Sequence, residues 1–468
     1  MKKYPFVLFL IAFTLVFFSS SCKKVNGFSK GNLSFSADTL VFDTVFTTIG
    51  STTKQFKIYN KENKTVTIDE VELMGGANSP FRMNLDGLSG TTFSDLNLAG
   101  NDSLFVFVDV TLQVNNQTNP MVIQDSIRFR TNGVDQYVQL AVWGQDMYYH
   151  YSNLAPGSIS LDLNEGTWPN DKPHLIYGAA FVDEDKTLNI QAGTDIYLHK
   201  NALLYVYKGT LNMNGSLNNE ITVQGDRLEA DYDDVMGQYY GIYFDSARPS
   251  TINYTNIKNG ITGIHAFDRH PANASTDYTV TITNSKISNN ANNGVFIYMG
   301  ARIKAENCVI SQNGAFALLV LVGGDFNFNH CDLLGYNGQS QNQAVGIVNH
   351  FDDGTANYVG SINEGFIRNC VIYGSLTSEI GFDISDPDLV TLNFDIRNCL
   401  IKKETIGTEA YYVNNLWNTE PQFEDVSLDK YKFPTTSPLY QSADVSFPTN
   451  SGTNIEGLIV SPANIGAY

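Results

Sequence analysis

Tyr254-Thr255-Asn256-Ile257 opens a phrase that returns as Asn284-Ser285-Lys286-Ile287, Asn307-Cys308-Val309-Ile310, His330-Cys331-Asp332-Leu333, Asn369-Cys370-Val371-Ile372 and Asn398-Cys399-Leu400-Ile401. Counted on the Thr/Ser/Cys position, the steps are 30, 23, 23, 39 and 29 residues. A step in the low twenties, with longer steps that read as insertions, is the mark of stacked coils. Three residues before that position lie Ile252, Ile282, Ala305, Phe328, Ile367 and Ile396, and two residues after it Ile257, Ile287, Ile310, Leu333, Ile372 and Ile401. Between them Thr283, Glu306, Asn329, Arg368 and Arg397 form a polar column. Alternation of this kind means strands with one face in a core and one in water. At Asn284, Asn307, Asn369 and Asn398 the alternation slips by one. Asparagine tolerates the left-handed bend that such a slip needs, and stacked amides can bond coil to coil. Strands returning to one column every coil are parallel, about 4.8 Å apart. The expected fold is a parallel β-helix.

Around this stretch the chain is all-β. Its 468 residues leave room for more than one domain, and the formal charge is −19. An excess of carboxylates this large argues against nucleic acid or anionic lipid as a partner of the bulk surface. Lys2 and Lys3 precede an apolar run from Phe6 to Phe18 broken only by Thr14, then Ser19-Ser20-Ser21 and Cys22. That run is too short to span a bilayer and reads as a secretion signal, 1–21. Its removal takes away two lysines and no acid, which leaves −21 on the mature chain. Residues 22–30 read as a tether. Residues 31–147 read as a β-sandwich, with alternating strands at 55–59, 66–71, 104–108 and 137–142 separated by turn clusters. The β-helix is expected over 148–414, and 415–468 as a C-terminal cap over its last coil and strand edges.

The stacked strands and the Asn column resemble the right-handed parallel β-helix, or pectin-lyase-like, superfamily. The whole chain is similar to lipid-anchored β-helix proteins common in Bacteroidota. Ser19-Ser20-Ser21-Cys22 resembles a lipobox, which implies lipidation of Cys22 and attachment to the outer membrane, with the periplasmic or surface side open. The sandwich resembles the immunoglobulin-like spacers of bacterial surface proteins.

Cys308, Cys331, Cys370 and Cys399 share one inward column. Parallel Cβ vectors about 4.8 Å apart suit a disulfide poorly, and Thr255 and Ser285 hold the same position in earlier coils. They are expected to be buried free thiols.

The 30-, 39- and 29-residue steps carry extra residues just after the strands led by Gly263, Gly346 and Gly381, at 268–278, 351–364 and 385–391. Insertions at one corner of successive coils stack into a wall. This wall collects the candidate ligand-binding residues Asp268, Arg269, His270, His350, Asp352, Asp353, Asp386 and Asp388. In the resembled fold, lyases use a Lys or Arg base with calcium-binding carboxylates, and glycosidases use paired carboxylates. The catalytic candidates implied are Lys304 and Arg302, which share a strand face, with His350, Asp352 and Asp353. Arg302-Ile303-Lys304 is a fragment of the polygalacturonase signature whose other motifs do not follow in order. Asp231, Asp233 and Asp234, beside Glu229, form an acidic loop that is a candidate calcium site; no other cofactor is suggested. Tyr205, Tyr207, Tyr239, Tyr243, Tyr298 and Tyr358 are candidate platforms for sugar rings. The function expected is binding of glycans or envelope components without turnover. The alternatives are a lyase or glycoside hydrolase acting on acidic polysaccharide, and a structural or adhesive rod.

Overall fold

The computed structural model describes residues 31–114, 121–153, 160–268, 277–337, 341–386 and 388–468. The expected signal and tether, Cys22, Arg269 and His270 lie outside them. The chain forms two compact units that divide after Asp146, one residue before the boundary read from sequence.

The first unit has two five-stranded sheets among the described residues. Strands Lys54–Tyr59 and Ser103–Val110 belong to one; Val66–Leu73 and Val134–Gln145 belong to the other. Alternation buries one face of each. Phe56, Val106 and Val108 meet Ile68, Val71 and Val138 in a single core. Thr39–Phe46 pairs parallel with Val134–Gln145 at a sheet edge.

The second unit is a parallel β-helix with three sheets, of eleven, nine and ten strands among the described residues. Each full coil gives one short strand to each. The recurring phrase lies in the eleven-strand sheet, where Ile257 pairs with Ile287, Ile287 with Ile310 and Ile310 with Leu333. Leu333 then pairs with Ile372, and Ile372 with Ile401, so the 39- and 29-residue steps keep register as the 23-residue steps do. The second apolar column, Ile252 to Ile396, runs unbroken through the ten-strand sheet. Both columns are sealed from solvent.

The bend between those two sheets rests on the slipped position. Asn284, Asn307, His330, Asn369 and Asn398 all hold positive φ, between 50° and 54°. Their side chains bond along the stack, Asn307 Nδ2 to Asn284 Oδ1 at 3.2 Å and Asn398 Nδ2 to Asn369 Oδ1 at 3.2 Å. The next residue has a second task. Its hydroxyl or thiol donates to the carbonyl two residues back, as Ser285 does to Thr283 (2.7 Å), Cys370 to Arg368 (3.1 Å) and Cys399 to Arg397 (3.3 Å). The same atom accepts an N–H from the coil before: Thr255 N on Ser285 Oγ at 3.1 Å, Cys331 N on Cys370 Sγ at 3.3 Å, Cys370 N on Cys399 Sγ at 3.4 Å. A bent backbone leaves these groups unpaired in a dry core, and a short side chain that both donates and accepts satisfies them. That is why Thr, Ser and Cys interchange there. The four cysteines are free and fully buried, and burial pushes the thiols of Cys308, Cys331 and Cys370 far above their ordinary pKa.

The C-terminal segment does not do what the sequence suggests. The strands continue to Leu416–Trp417, and the last coil is closed by Tyr411, Tyr412 and Trp417 packed with Phe382 and Phe394. Residues 429–468 instead run back along the outer face of the eleven-strand sheet. Tyr431, Leu439, Ile465 and Ala467 bury Val309, Leu334, Val371 and Leu400 there. The outward column carries Asn256 and Lys286 in earlier coils and Val309, Val371 and Leu400 in later ones, with a fully buried Asp332 between Val309 and Val371. An apolar outer face needs cover.

Because the column at Cys370 needs a donor and an acceptor, Cys370→Ser is expected to cost little and the near-isosteric Cys370→Val about 1–3 kcal/mol. The midpoint of chemical denaturation compares the two.

Candidate functional site

The three insertions leave from one corner, between the nine- and ten-strand sheets. The residues before them fall in one column, where Phe267 pairs with Tyr298, Tyr298 with Leu321, Leu321 with Val348 and Val348 with Asp383. The two coils in the middle turn this corner tightly, through Met299-Gly300-Ala301 and Val322-Gly323-Gly324. Gly323 and Gly324 have positive φ (70° and 126°), and a Cβ on Gly323 would sit 2.6 Å from the backbone of Gly360. The long second insertion therefore lies directly on a short turn. Between it and residues 277–279 opens a cleft of about 900 Å³, floored by the two tight turns.

The second insertion is built around a hairpin, His350–Asp352 paired with Asn357–Val359. Asp352 and Asp353 shape its tip. Asp352 Oδ1 accepts from Gly354 N at 2.8 Å, and Asp353 Oδ1 accepts from Thr355 N, Thr355 Oγ1 and Ala356 N at 2.8, 2.6 and 2.9 Å. Those bonds, led by the Thr355 hydroxyl, hold the Asp353 carboxyl down at about 2. His350 pairs with Asp383 at 3.2 Å. Asn349, fully buried, exchanges hydrogen bonds with Ser385 N and O (2.8 and 2.9 Å) and so ties the hairpin to the third insertion. Asp386 and Asp388 stand exposed on that insertion.

Of the wall residues named from sequence, Asp268 lines the cleft, and His350, Asp352, Asp353, Asp386 and Asp388 do not. Arg302 lines it, and Lys304, two residues along the strand, does not. Arg302 is held by Asp325 at 2.9 Å and Glu364 at 3.1 Å. Asp325 is almost wholly buried, and its other oxygen accepts from Asn363 N and Glu364 N at 2.7 and 3.1 Å. Tyr278 donates to Glu364 Oε2 at 2.6 Å, accepts from Asn327 Nδ2 at 3.2 Å and lies under the Arg302 guanidinium at 5.1 Å. Burial and then Glu364 raise its hydroxyl to about 12, so Tyr278 stays a donor at neutral pH. Tyr278, Asp325 and Glu364 escaped the sequence reading. Register contained one of them, since Arg302 and Asp325 are paired neighbours in adjacent coils, 23 residues apart.

The acidic loop does not become a cation site. Asp231 lies within a short 3-10 turn, Ala230–Tyr232, with Asp233 and Asp234 just after it, and no group of three or more His, Cys, Asp or Glu among the described residues is placed to hold a metal. The tyrosines divide as well. Tyr239 is core, and Tyr205 donates to Asp245 at 2.6 Å. Tyr243 packs at a tilt on His265 at 4.7 Å and His265 stacks on Phe296 at 4.6 Å, which engages these rings within the ladder. Among the six tyrosines only Tyr358 is exposed, and it lines the cleft beside Val359 and Gly360.

A profile of the right handed beta helix region matches residues 178–333 and 272–427, which together span more than half of the chain. The chain belongs to the right-handed β-helix family. No curated protein matches it in sequence. Among solved structures, the chain is similar to the catalytic domain of a GH87 α-1,3-glucanase in complex with nigerose, at 9% identity over 78% of this chain and 87% of that one, with a TM-score of 0.17. A family 123 glycoside hydrolase from Clostridium perfringens (7% identity, 25% of this chain, 30% of that one) and the E. coli chaperone DraB (12%, 25% and 56%) each score 0.18. The chain spans about a third and just over half of the length of those last two. Likeness at this level bears on neither activity nor ligand.

His265 Nε2 is buried without a hydrogen-bond partner, and burial lowers the ring's pKa from 6.5 to about 4. The unfolded ring takes a proton first, so its contribution to stability is whole above pH 6.5 and is lost as pH falls towards 4. His265→Phe is expected to keep the stack and flatten the loss of melting temperature between pH 6.5 and 4.

Proposed function

We propose that the β-helix binds a glycan chain in the corner cleft without turning it over. The observation that carries this reading is a wide cleft on the coil stack whose lining combines an exposed ring, Tyr358, with polar groups already held in place, Arg302, Asp325 and Tyr278. Sugar rings offer an apolar C–H face to an aromatic and hydroxyls to fixed donors and acceptors. Pre-organised groups lose little entropy on binding. The arrangement favours binding over catalysis. Both oxygens of Asp325 are engaged, and Glu364 shares Arg302 and accepts from Tyr278, so neither carboxyl is set up as a proton donor to a leaving group. Lys304, His350, Asp352 and Asp353, the residues a lyase or hydrolase would draw on, are not gathered around the cleft.

On this reading residues 31–146 are an immunoglobulin-like spacer. Cys22 is a lipidated N-terminus that fixes the protein to the outer membrane, on its periplasmic or its surface side, and the β-helix meets glycan or another envelope component.

Two measurements test the proposal. The full chain is expected to be retarded in gels containing a polysaccharide that it binds, to release no new reducing ends or unsaturated products, and to lose at least tenfold in affinity with Tyr358→Ala. Product formation, or unchanged binding in that variant, would overturn it. A fatty-acid label fed to the producing cells is expected to mark the protein and to vanish with Cys22→Ala; an unlabelled wild-type chain rules the anchor out.

A further inference from the structure

The outward column under the C-terminal segment holds one residue that packing does not ask for. Between Val309 and Val371 stands Asp332, fully buried. Its Oδ1 accepts one long hydrogen bond, from Ala467 N at 3.4 Å, and its Oδ2 is buried without a hydrogen-bond partner. Gly466 brings the backbone of the segment hard against it, since a Cβ there would lie 2.4 Å from Asp332 Oδ1. Burial raises the Asp332 carboxyl to about 8, and the Ala467 N–H is what opposes the rise among the described residues. A valine, as in the coils on either side, would fill the place without that penalty.

We propose that residues 429–468 are a strap whose closing over the eleven-strand sheet takes up a proton at Asp332, so that rising pH loosens it and bares the apolar face of Val309, Leu334, Val371 and Leu400. The inference is independent of the glycan reading. With the strap lifted, the carboxyl meets water and ionises as an ordinary aspartate does. With the strap down, a carboxylate would lie in an apolar layer with one amide for a partner. An acid whose pKa is raised by closing favours the closed state at low pH. That advantage is lost progressively as pH climbs from the ordinary value of 3.8 to about 8.

Other titratable groups lie under or beside the strap. His330 bonds through Nδ1 to Asn464 O at 2.9 Å and lies 3.2 Å from Phe447 O through Nε2. Burial lowers its pKa, so it acts in the opposite sense and its hold is whole only above about 6.5. Glu306 accepts from Asn450 N, and burial raises its carboxyl, in the same sense as Asp332. Tyr336 and Tyr468 face Asp332, and burial pushes both hydroxyls far above neutrality. Lys286 lies over the Tyr468 ring at 5.8 Å. Asp429, bonded to Ser311 Oγ at 2.7 Å, and Glu456, paired with Lys432, are the carboxylates beside Tyr468. Above pH 6.5 the His330 contribution is constant, and replacing Asp332 separates its effect from that of Glu306.

The test is hydrogen–deuterium exchange of the full chain, corrected for the intrinsic rate at each pH. Peptides from 429–468 read the strap, and peptides from 179–267 read the coils. The opening equilibrium of the strap is expected to rise with pH above 6.5 and to level off beyond 8, by about 30-fold in all for one proton, while the coils keep their protection. Asp332→Asn removes the titrating group at nearly the same size, and Asp332→Val copies the neighbouring coils. Both are expected to flatten the rise, and Asp332→Val to protect the strap at least tenfold better than the wild type at pH 8. Strap protection that does not change with pH in the wild-type chain overturns the proposal, however the variants behave. An equal rise in Asp332→Asn overturns it too, by placing the proton elsewhere. A rise shared by the coil peptides overturns the strap as a unit that opens on its own.

Discussion

The constraint on which this molecule depends is a single bent position repeated in the successive coils from Tyr254 to Asn398. There the backbone crosses into the left-handed region, and the residue that follows repairs the break in two directions at once, with its hydroxyl or thiol donating within its own coil and accepting from the coil before. Each repair fixes the next coil in register, because an N–H displaced by one residue would find no acceptor in a dry interior. Parallel strands of three to five residues are weak pairings one at a time. Stacked in three sheets around a shared aliphatic core, they become a rod whose corners recur at the same place.

That regularity makes the exceptions useful. A coil can lengthen at a corner without disturbing its strands, because the loop leaves and rejoins the stack where pairing has already stopped. Two tight turns between long insertions make a recess, and Gly323, Gly324 and Gly360 allow the hairpin to sit against the turn below. The recess is lined from residues far apart in the chain, Tyr278, Arg302, Asp325 and Tyr358, of which the first three are held by one another and by Glu364 without any ligand. The eleven-strand sheet shows the other outcome. Its outer face turns largely apolar from Val309 onward, with Asp332 enclosed between Val309 and Val371, and the chain covers it with its own C-terminal segment. The nine-strand sheet covers itself by stacking rings along its outer face, of which Tyr243, His265 and Phe296 are the centre.

Much of this could be read from residues. The period, the two apolar columns, the left-handed asparagines and the common corner of the insertions all follow from alternation and spacing, because a parallel coil converts sequence distance into contact. The Thr/Ser/Cys column and its burial as free thiols were visible too, but not the reason these three residue types interchange. Its hydrogen-bonding purpose depends on the carbonyl two residues back and the amide of another coil, neither of which has a side-chain signature. The Arg302–Asp325 pair lay within reach of the same 23-residue step. The Tyr278–Glu364 bond did not, since it joins the ends of two insertions of different length across intervening coils.

The sequence by itself therefore determined the parallel coil, its register and the corner from which loops emerge, because those depend on backbone periodicity and on which residues enter water. The tertiary structure alone decided which loop residues line the cleft and which shape a turn, as Asp352 and Asp353 do, and where the last forty residues lie. Loop conformation has no period to read. It is set by the hydrogen bonds and packing each insertion finds against the coils beneath it, and these exist only once the stack has formed.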